Sequence, residues 1–309
     1  MPLSPIVLFA YNRADHLSQT IHALAKCPEA ISSQIFFFSD GPKKESDIPK
    51  VRSVRDTMHE IQQANLFQSI NIVESPVNKG LAASVIVGVS EVMEKFGKAI
   101  ILEDDCVPSP YFLHFMNKAL DAYESKAQIG AIAGYTPPIT FPTEYNQDAF
   151  LAYRSCSWGW AAWKRSWLDV DWELKSFADF LRNPALIARL NANGSDRFIR
   201  LYRQCKGNGS SWSVRFGAHL VRNNLLTVYP RFSYIQNIGC DASGIHSKAE
   251  DAISMKVDLN KAIPDPVIGE LHLNPQLQAI LKRHYSSGWL SDMKHALFAQ
   301  WIRWKYAAK

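Results

Sequence analysis

Three carboxylates stand in a row, Glu103, Asp104 and Asp105, directly after the apolar run Ile100-Ile101-Leu102. Uncompensated, they repel one another and resist burial. Stability alone therefore gives no reason to put them at the end of a buried strand. Hard oxygen ligands at such a place suit Mn2+ or Mg2+, which reach proteins through one or two carboxylates plus ligand phosphates; the plainer alternative is an acidic surface turn. A second apolar run ends in Ala10-Tyr11-Asn12-Arg13. There a guanidinium and an aromatic ring can hold a pyrophosphate and stack a base, or Arg13 can merely pair with a surface carboxylate. Asp40, in Ser39-Asp40-Gly41, offers an acceptor to a base N–H or a ribose hydroxyl, or else closes an Asx-turn. Asn78-Lys79-Gly80 precedes a long apolar stretch, where a cation and free helix N–H groups either meet an anion or are simply capped.

Aromatic residues form the next group. Trp158, Trp160, Trp163, Trp167 and Trp172 fall within fifteen residues, interrupted by Gly159. Flat indole faces with N–H handles build walls against which sugars lie. Trp158 and Trp160, beside Gly159, are read as site residues and Trp163 and Trp167 as core.

These residues need elements to hold them. Ile6 to Ala10, Gln34 to Phe38, Ile70 to Val73 and Ala99 to Leu102 read as short buried strands. Between them, helices are marked by Leu17, Ile21 and Leu24, by Val51, Val54, Met58 and Ile61, and by Leu81 to Phe96. Strand and helix alternating at this spacing predict βαβ units, hence an α/β fold with a mixed, mainly parallel central sheet flanked by helices. Open sheets of this kind bind ligands beyond the carboxyl ends of their strands, where the triplet, Arg13 and Asp40 fall. After about residue 140 the rhythm loosens. Helices are expected over Phe177 to Leu190 and Asp196 to Cys205, a Gly/Asn/Ser loop over Gly207 to Ser211, and a strand over Leu225 to Tyr229. From Trp289, Leu290, Met293, Leu297, Trp301 and Trp304 recur at three- and four-residue steps among Lys294, Arg303, Lys305 and Lys309. This basic amphipathic helix either docks on a protein surface or lies on a membrane.

Bulk properties narrow the class. A chain of 309 residues that is 47% hydrophobic and 20% charged buries a large core and is not disordered. A net charge of +5 without a dense Lys/Arg block gives no case for a nucleic-acid partner. No run reaches membrane-spanning length, and the start lacks the features of a signal peptide. Five cysteines in no metal spacing read as reduced thiols, so the cytoplasm is expected, with the inner face of the membrane as the place for the tail. Neither a Gly-x-Gly-x-x-Gly after the first strand nor a P-loop pattern is present, which argues against a dinucleotide oxidoreductase and a P-loop enzyme.

In order and spacing, the triplet, Arg13, Asp40 and Asn78-Lys79-Gly80 resemble the GT-A glycosyltransferases. The nearest likeness is to bacterial family-two-like sugar transferases that themselves resemble N-acetylglucosaminyltransferase I. It extends over residues 5 to about 250 and is most specific at Glu103-Asp104-Asp105, at Ser157 to Lys164, and at Trp212 to Tyr229 with Asn237-Ile238-Gly239 and His246. The resemblance implies a GT-A domain over 1–250, with a nucleotide-binding half at 1–125 and an acceptor half at 126–250, followed by a helical extension at 251–309. It also implies a nucleotide-sugar donor, a UDP-sugar first, and a glycan or lipid-linked glycan acceptor. Ala10, Tyr11, Arg13, Asp40, Asn78, Lys79, Gly80, Glu103 and Asp104 would line the donor. Asp105 and His246 would hold Mn2+ or Mg2+, and Trp158, Gly159, Trp160 and Trp212 would face the acceptor or sugar.

One departure bears on mechanism. Inverting relatives carry a Trp-Asp pair whose carboxylate takes the acceptor's proton; here the place reads Trp212-Ser213, and a serine is no base at neutral pH. Ser213 is instead expected to cap a helix, while Asp241, Asp196 or Glu173 takes the proton, Asp241 first. A silent nucleotide-sugar binder, a sugar nucleotidyltransferase lacking its Gly-rich first loop, and a lectin-like module are the competing classes.

Overall fold

A computed structural model describes residues 2–239 and 255–307. Its centre is an eight-stranded sheet in the order β3-β2-β1-β4-β8-β6-β9-β7. The strands are β1 (Ile6–Ala10), β2 (Gln34–Ser39), β3 (Ser69–Glu74), β4 (Lys98–Glu103), β6 (Ile129–Ala133), β7 (Ala149–Ala152), β8 (Trp160–Trp163) and β9 (Leu226–Pro230). β1, β2, β3 and β4 pair in parallel, as do β6 and β9; β8 and β7 run against their neighbours. The expected mixed, mainly parallel α/β architecture is therefore present. A small antiparallel ribbon pairs β5 (Cys106–Pro108) with β10 (Ile235–Asn237).

Strand composition explains the layering. β1 and β4 are apolar on both faces, so helices must cover both sides. On one side lie α1 (Ala14–Leu24), α2 (Ile48–Gln63) and α4 (Phe112–Ala122), whose Leu17, Ile21, Met58 and Phe115 share a core with Leu8 and Leu102. On the other, α3 (Leu81–Phe96) presses Val85, Val89 and Met93 against Val7 and Ile101. α5 (Lys164–Trp167) and α9 (Trp212–Arg222) add Trp167, Trp212 and Phe216 to that second core. β8 is the strand hidden in the tryptophan-rich segment. Its side chains alternate, Trp160 and Ala162 to the α3 side, Ala161 and Trp163 to the other.

The helix expected over Phe177 to Leu190 is two helices, α6 (Phe177–Arg182) and α7 (Pro184–Leu190). Pro184 forbids a helical Asn183, which stands at φ −117°, and the Asn183 carboxamide accepts from Ala185 N at 3.0 Å to start the second helix. With α8 (Arg197–Cys205) they form a helical lobe around Phe180, Phe198 and Leu201.

The carboxyl-terminal extension is bound to this body. α10 (Pro275–His284) inserts Leu277 and Leu281 beside Phe150 and Tyr229, and α11 (Trp289–Ala307) inserts Ala299 and Ile302 into the helical lobe. Trp289, Leu290, Met293, Leu297, Trp301 and Trp304 are exposed, on the side of α11 turned away from the protein. No helix among the described residues is long and apolar enough to cross a membrane. Ile302 is fully buried, so Ile302→Ala should cost ~2–5 kcal/mol in chemical denaturation. Loss of less than ~1 kcal/mol would mean that α11 is not part of the cooperative fold.

Candidate functional site

The strand registers set the site. Ala10 lies beside Ser39 and Phe9 beside Glu103, so β1, β2 and β4 end along one edge. Past that edge the chain is still tied down: Asp104 N donates to Phe9 O at 3.0 Å and Asp40 N to Ala10 O at 3.3 Å. Arg13, four residues past Phe9, turns its guanidinium back onto the triplet. Nη2 bonds the Asp104 carboxylate and, at 2.8 Å, Asp105 Oδ2. Asp104 is fixed further by its own carbonyl, which accepts from Thr20 Oγ1 at 2.7 Å. The ribbon clamps Asp105 from the other side: Ile238 N donates to Asp105 O at 2.9 Å and Asn237 Nδ2 to Oδ1 at 3.1 Å. Gly239 passes so close that any side chain there would strike the Asp105 carboxylate and Arg13.

The electrostatics follow from one guanidinium serving three carboxyl groups. Burial works against the charge on Arg13, but Asp104 and Asp105 outweigh it and hold its pKa above the ordinary value. Burial raises Asp104 to about 6 against the pull of Arg13. Burial, then the charges of Asp105 and Asp104, push Glu103 up to about 8. The Glu103 side chain makes no hydrogen bond among the described residues. Three carboxyl groups thus crowd one guanidinium, and Glu103 relieves the crowding by holding its proton at neutral pH.

Among the described residues, no three His, Cys, Asp or Glu side chains converge as a ready metal-ligand set. Arg13 already holds oxygens of Asp104 and Asp105. A metal at this edge would have to be a hard dication that shares its coordination with a ligand's phosphates, not one held in an all-protein cage. Asp241, His246 and Cys240 lie outside the described residues.

Other expected site residues have structural work. Asp40 Oδ1 accepts from Gly41 N at 2.9 Å and Lys79 N at 2.8 Å, and Oδ2 accepts from Gly80 N at 2.8 Å. Asn78 Nδ2 donates to Gly41 O at 2.8 Å. Asp40 and Asn78 therefore lock the loop before α3 to the end of β2, so Asp40 has structural work whatever it does toward a ligand. The loop leaves Lys79 exposed beside the edge. Tyr11 donates to Asp47 Oδ2 at 2.8 Å and accepts from Lys43 N at 3.0 Å, which fixes its ring between two loops.

The aromatic wall is also revised. Trp160 is 1% exposed and stacks on Trp212 at 5.0 Å, with Trp167 and Phe216 against it. Neither Trp160 nor Trp212 has a face left for a sugar; their indoles seal the core beneath the edge. Gly159 is buried, its carbonyl accepting from Gly134 N at 2.6 Å. Only Trp158 is partly exposed, edge-on to Tyr135 at 4.6 Å. Ser213 lies inside the first turn of α9, so it does not cap that helix; its hydroxyl meets Ser211 Oγ at 3.1 Å. Glu173 is an exposed partner of Lys175 at 2.6 Å, and Asp196 pairs with Arg154 and Arg200 at 3.9 and 3.7 Å.

Thr20, Asp47 and the clamping role of Asn237 were not legible as site features. Each acts through a partner at least 36 residues away, and no local pattern announces such pairs. Two hollows lie in the helical lobe, one beside Phe177 and Phe180 and one beside Arg182 and Arg189, and no residue of the Arg13 cluster lines either.

No protein-family model and no curated protein sequence matches this chain. Among solved structures it is similar to a mannosyltransferase from Pyrobaculum calidifontis in complex with GDP-Man and Mn2+. Identity is 12% and the TM-score 0.37, over 53% of this chain and 45% of that one. It is similar to S. aureus TarS at 12% identity and a TM-score of 0.38, over 61% of this chain and 34% of that one. Against TarS 1-349 the values are 12%, 0.40, 72% and 71%. The chain thus spans less than half of the mannosyltransferase and about a third of the longer TarS chain. Likeness this distant says nothing of chemistry, which rests on the site itself.

The buried and half-buried tryptophans give a direct test. Trp160→Ala should cost ~3–5 kcal/mol of stability, and Trp158→Ala under half of that, in urea titrations followed by circular dichroism. Equal costs would mean that Trp158 is as much a core residue as Trp160.

Proposed function

We propose that this chain is a GT-A-type glycosyltransferase that moves a sugar from a nucleotide-sugar donor, a UDP-sugar first, to a glycan or lipid-linked glycan acceptor. The observation that carries the reading is the carboxyl triplet Glu103, Asp104 and Asp105 at the carboxyl edge of a mainly parallel sheet, with Arg13 bonded to its two aspartates. A mobile surface turn would let such charges separate; here they are clamped together by Thr20, Asn237 and Ile238. In this reading Asp105, with Asp104 or Glu103, would hold Mn2+ or Mg2+, which would offset the charge growing on the departing diphosphate. Arg13 orients the two aspartates, and the exposed Lys79, on a loop braced by Asp40, faces the phosphates. Trp158 offers the partly open aromatic face to the acceptor side. The chemistry is displacement with inversion at the anomeric carbon, with Asp241 as the first candidate to take the acceptor hydroxyl's proton. Synthesis of a bacterial surface polysaccharide is the setting this would serve.

A second reading has its own support. Arg13 already pairs two of the carboxylates, and Ser213 stands where a carboxylate base is expected. Both fit a nucleotide-sugar binder that does not turn over.

The first test is thermal. UDP or a UDP-sugar should raise Tm only with Mn2+ or Mg2+ present, by the ~2.7 kcal/mol equivalent of a ligand at a hundred times its Kd. Asp105→Asn, which can still accept from Asn237, should abolish that dependence. Equal stabilisation in excess EDTA would overturn the metal assignment. Hydrolysis of a nucleotide-sugar panel with Mn2+ then separates enzyme from silent binder.

The tail supplies a second test. The exposed stripe of α11 combines Trp289, Trp301 and Trp304 with the exposed Lys294 and Lys305, and Lys305 Nζ lies 4.9 Å from the Trp301 ring. Aromatic and aliphatic side chains flanked by cations suit the interface of an anionic bilayer. The triple variant Trp289→Ser, Trp301→Ser, Trp304→Ser should lose co-sedimentation with phosphatidylglycerol vesicles while keeping its far-UV spectrum. Unchanged sedimentation, or none by the parent protein, would dismiss a peripheral membrane contact.

A further inference from the structure

The larger of the two hollows in the helical lobe lies apart from the carboxylate edge. It is open to solvent and holds about 550 Å3, within the ~300–1,000 Å3 of ligand sites. Asp179 and Arg182 line it from α6, Arg189 from α7, Arg222 from the end of α9 and Asn224 from the turn that follows. That turn leads into β9. β9 runs parallel to β6, and two antiparallel steps through β8 make β6 parallel to β4. The start of β9, and the hollow with it, therefore stands at the opposite edge of the sheet from Glu103.

Its lining is cationic. Three guanidinium groups meet one carboxylate there, a local excess of two positive charges. Arg222 spends Nε on Asp179 Oδ2 at 2.6 Å, and its two terminal nitrogens make no hydrogen bond among the described residues. Arg182 reaches the same carboxylate only at 3.9 Å. Arg189 is aimed by a neutral partner: its Nη1 donates to Asn224 Oδ1, and Asn224 holds the left-handed conformation, φ 57°, that asparagine tolerates. Unspent guanidinium donors from three elements thus border one open space. Such forks match oxyanions, with which they form paired N–H···O bonds. A carboxylate would satisfy a single fork. A phosphate monoester offers three oxygens and a charge of ~−1.5 to −2 at pH 7, which matches the excess.

We propose that Arg182, Arg189 and Arg222 bind a phosphate monoester in this hollow. The site does not rest on the glycosyltransferase reading, and its occupant is not the group that reacts at the carboxylate edge. The monoester is carried by a soluble molecule or by a lipid headgroup. α11 belongs to the same lobe, Arg303 Nε donating to Leu181 O at 3.1 Å, one residue before Arg182.

The test is isothermal titration calorimetry of the full chain with glycerol 3-phosphate, with glycerol and sodium acetate as neutral and monoanionic controls, all at constant ionic strength. The parent protein should bind glycerol 3-phosphate saturably, glycerol not at all, and acetate at least about tenfold more weakly. Lys79→Gln should bind as the parent does, which excludes the donor edge as the source of the signal. The double variant Arg182→Gln, Arg189→Gln should weaken binding about tenfold or more with the Tm of the free protein unchanged. Should it fail to fold, Arg182→Gln alone decides, since that side chain is 79% exposed and should weaken binding severalfold without touching the core. Asp179→Asn should act in the opposite direction and tighten binding, because it removes the one carboxylate that competes for Arg222. Co-sedimentation with phosphatidylcholine vesicles separates the two carriers: recruitment by added phosphatidic acid that the double variant loses assigns a lipid headgroup, and no recruitment assigns a soluble monoester. No saturable binding of glycerol 3-phosphate, acetate bound equally well, or undiminished binding by the arginine variants overturns the proposal.

Discussion

Arg13 and the aspartates it holds set the terms for the rest of the structure. At 2.8 Å and an effective dielectric near 20, the gross attraction between Arg13 and Asp105 is ~6 kcal/mol, most of it offset by desolvation of both partners. The pair is therefore not a large source of stability. It makes an otherwise untenable arrangement tenable, because three adjacent carboxyl groups could not stand at a buried strand end without it. The architecture serves that contact: the parallel register of β1 and β4 delivers Arg13 and the triplet to the same edge, and the β5–β10 ribbon closes over Asp105.

The neighbouring loops are rigidified in the same manner, by carboxylates that satisfy backbone donors. Asp40 accepts three N–H groups at the entrance to α3, and Asp47 takes the Tyr11 hydroxyl. Hydrogen bonds of charged acceptors to buried N–H groups are stronger than neutral ones and costly to lose. The edge is thus held in place by its own hydrogen bonds. The indoles of Trp160 and Trp212 contribute beneath it by filling volume. They hold β8 and α9 together under the edge, so their part in the site is indirect.

What could be read from the sequence was what local pattern encodes. The first four strands and the three helices between them follow from apolar runs and 3.6-residue periodicity, and α3 has the expected bounds, Leu81–Phe96. The acidic triplet was legible because its cost is local: no partner within a few residues could relieve it. Role, as opposed to place, was less legible. Asp40 offered an Asx-turn and a ligand contact equally, and only the fold shows its oxygens spent on Lys79 N and Gly80 N. The tryptophans looked alike in sequence, yet the pleat of β8 sends Trp160 inward to Trp212 and leaves Trp158, before the strand, partly open. Exposure of an aromatic depends on which face of which element it lands on, and composition does not carry that information.

The two ends of the Arg154–Trp158 segment face opposite electrostatic problems, and together they constrain the chemistry. Beyond Trp158 the sheet edge has more carboxylate than cation; at Arg154 the interior has more guanidinium than carboxylate. The fold keeps them apart, and each is met by its own neighbours: Arg13 bonds Asp104 and Asp105 at the edge, and Asp196 lies between Arg154 and Arg200 within. The sign of the local charge therefore changes over a few residues of backbone, so a charged group approaching the edge and one approaching the helical lobe meet opposite fields.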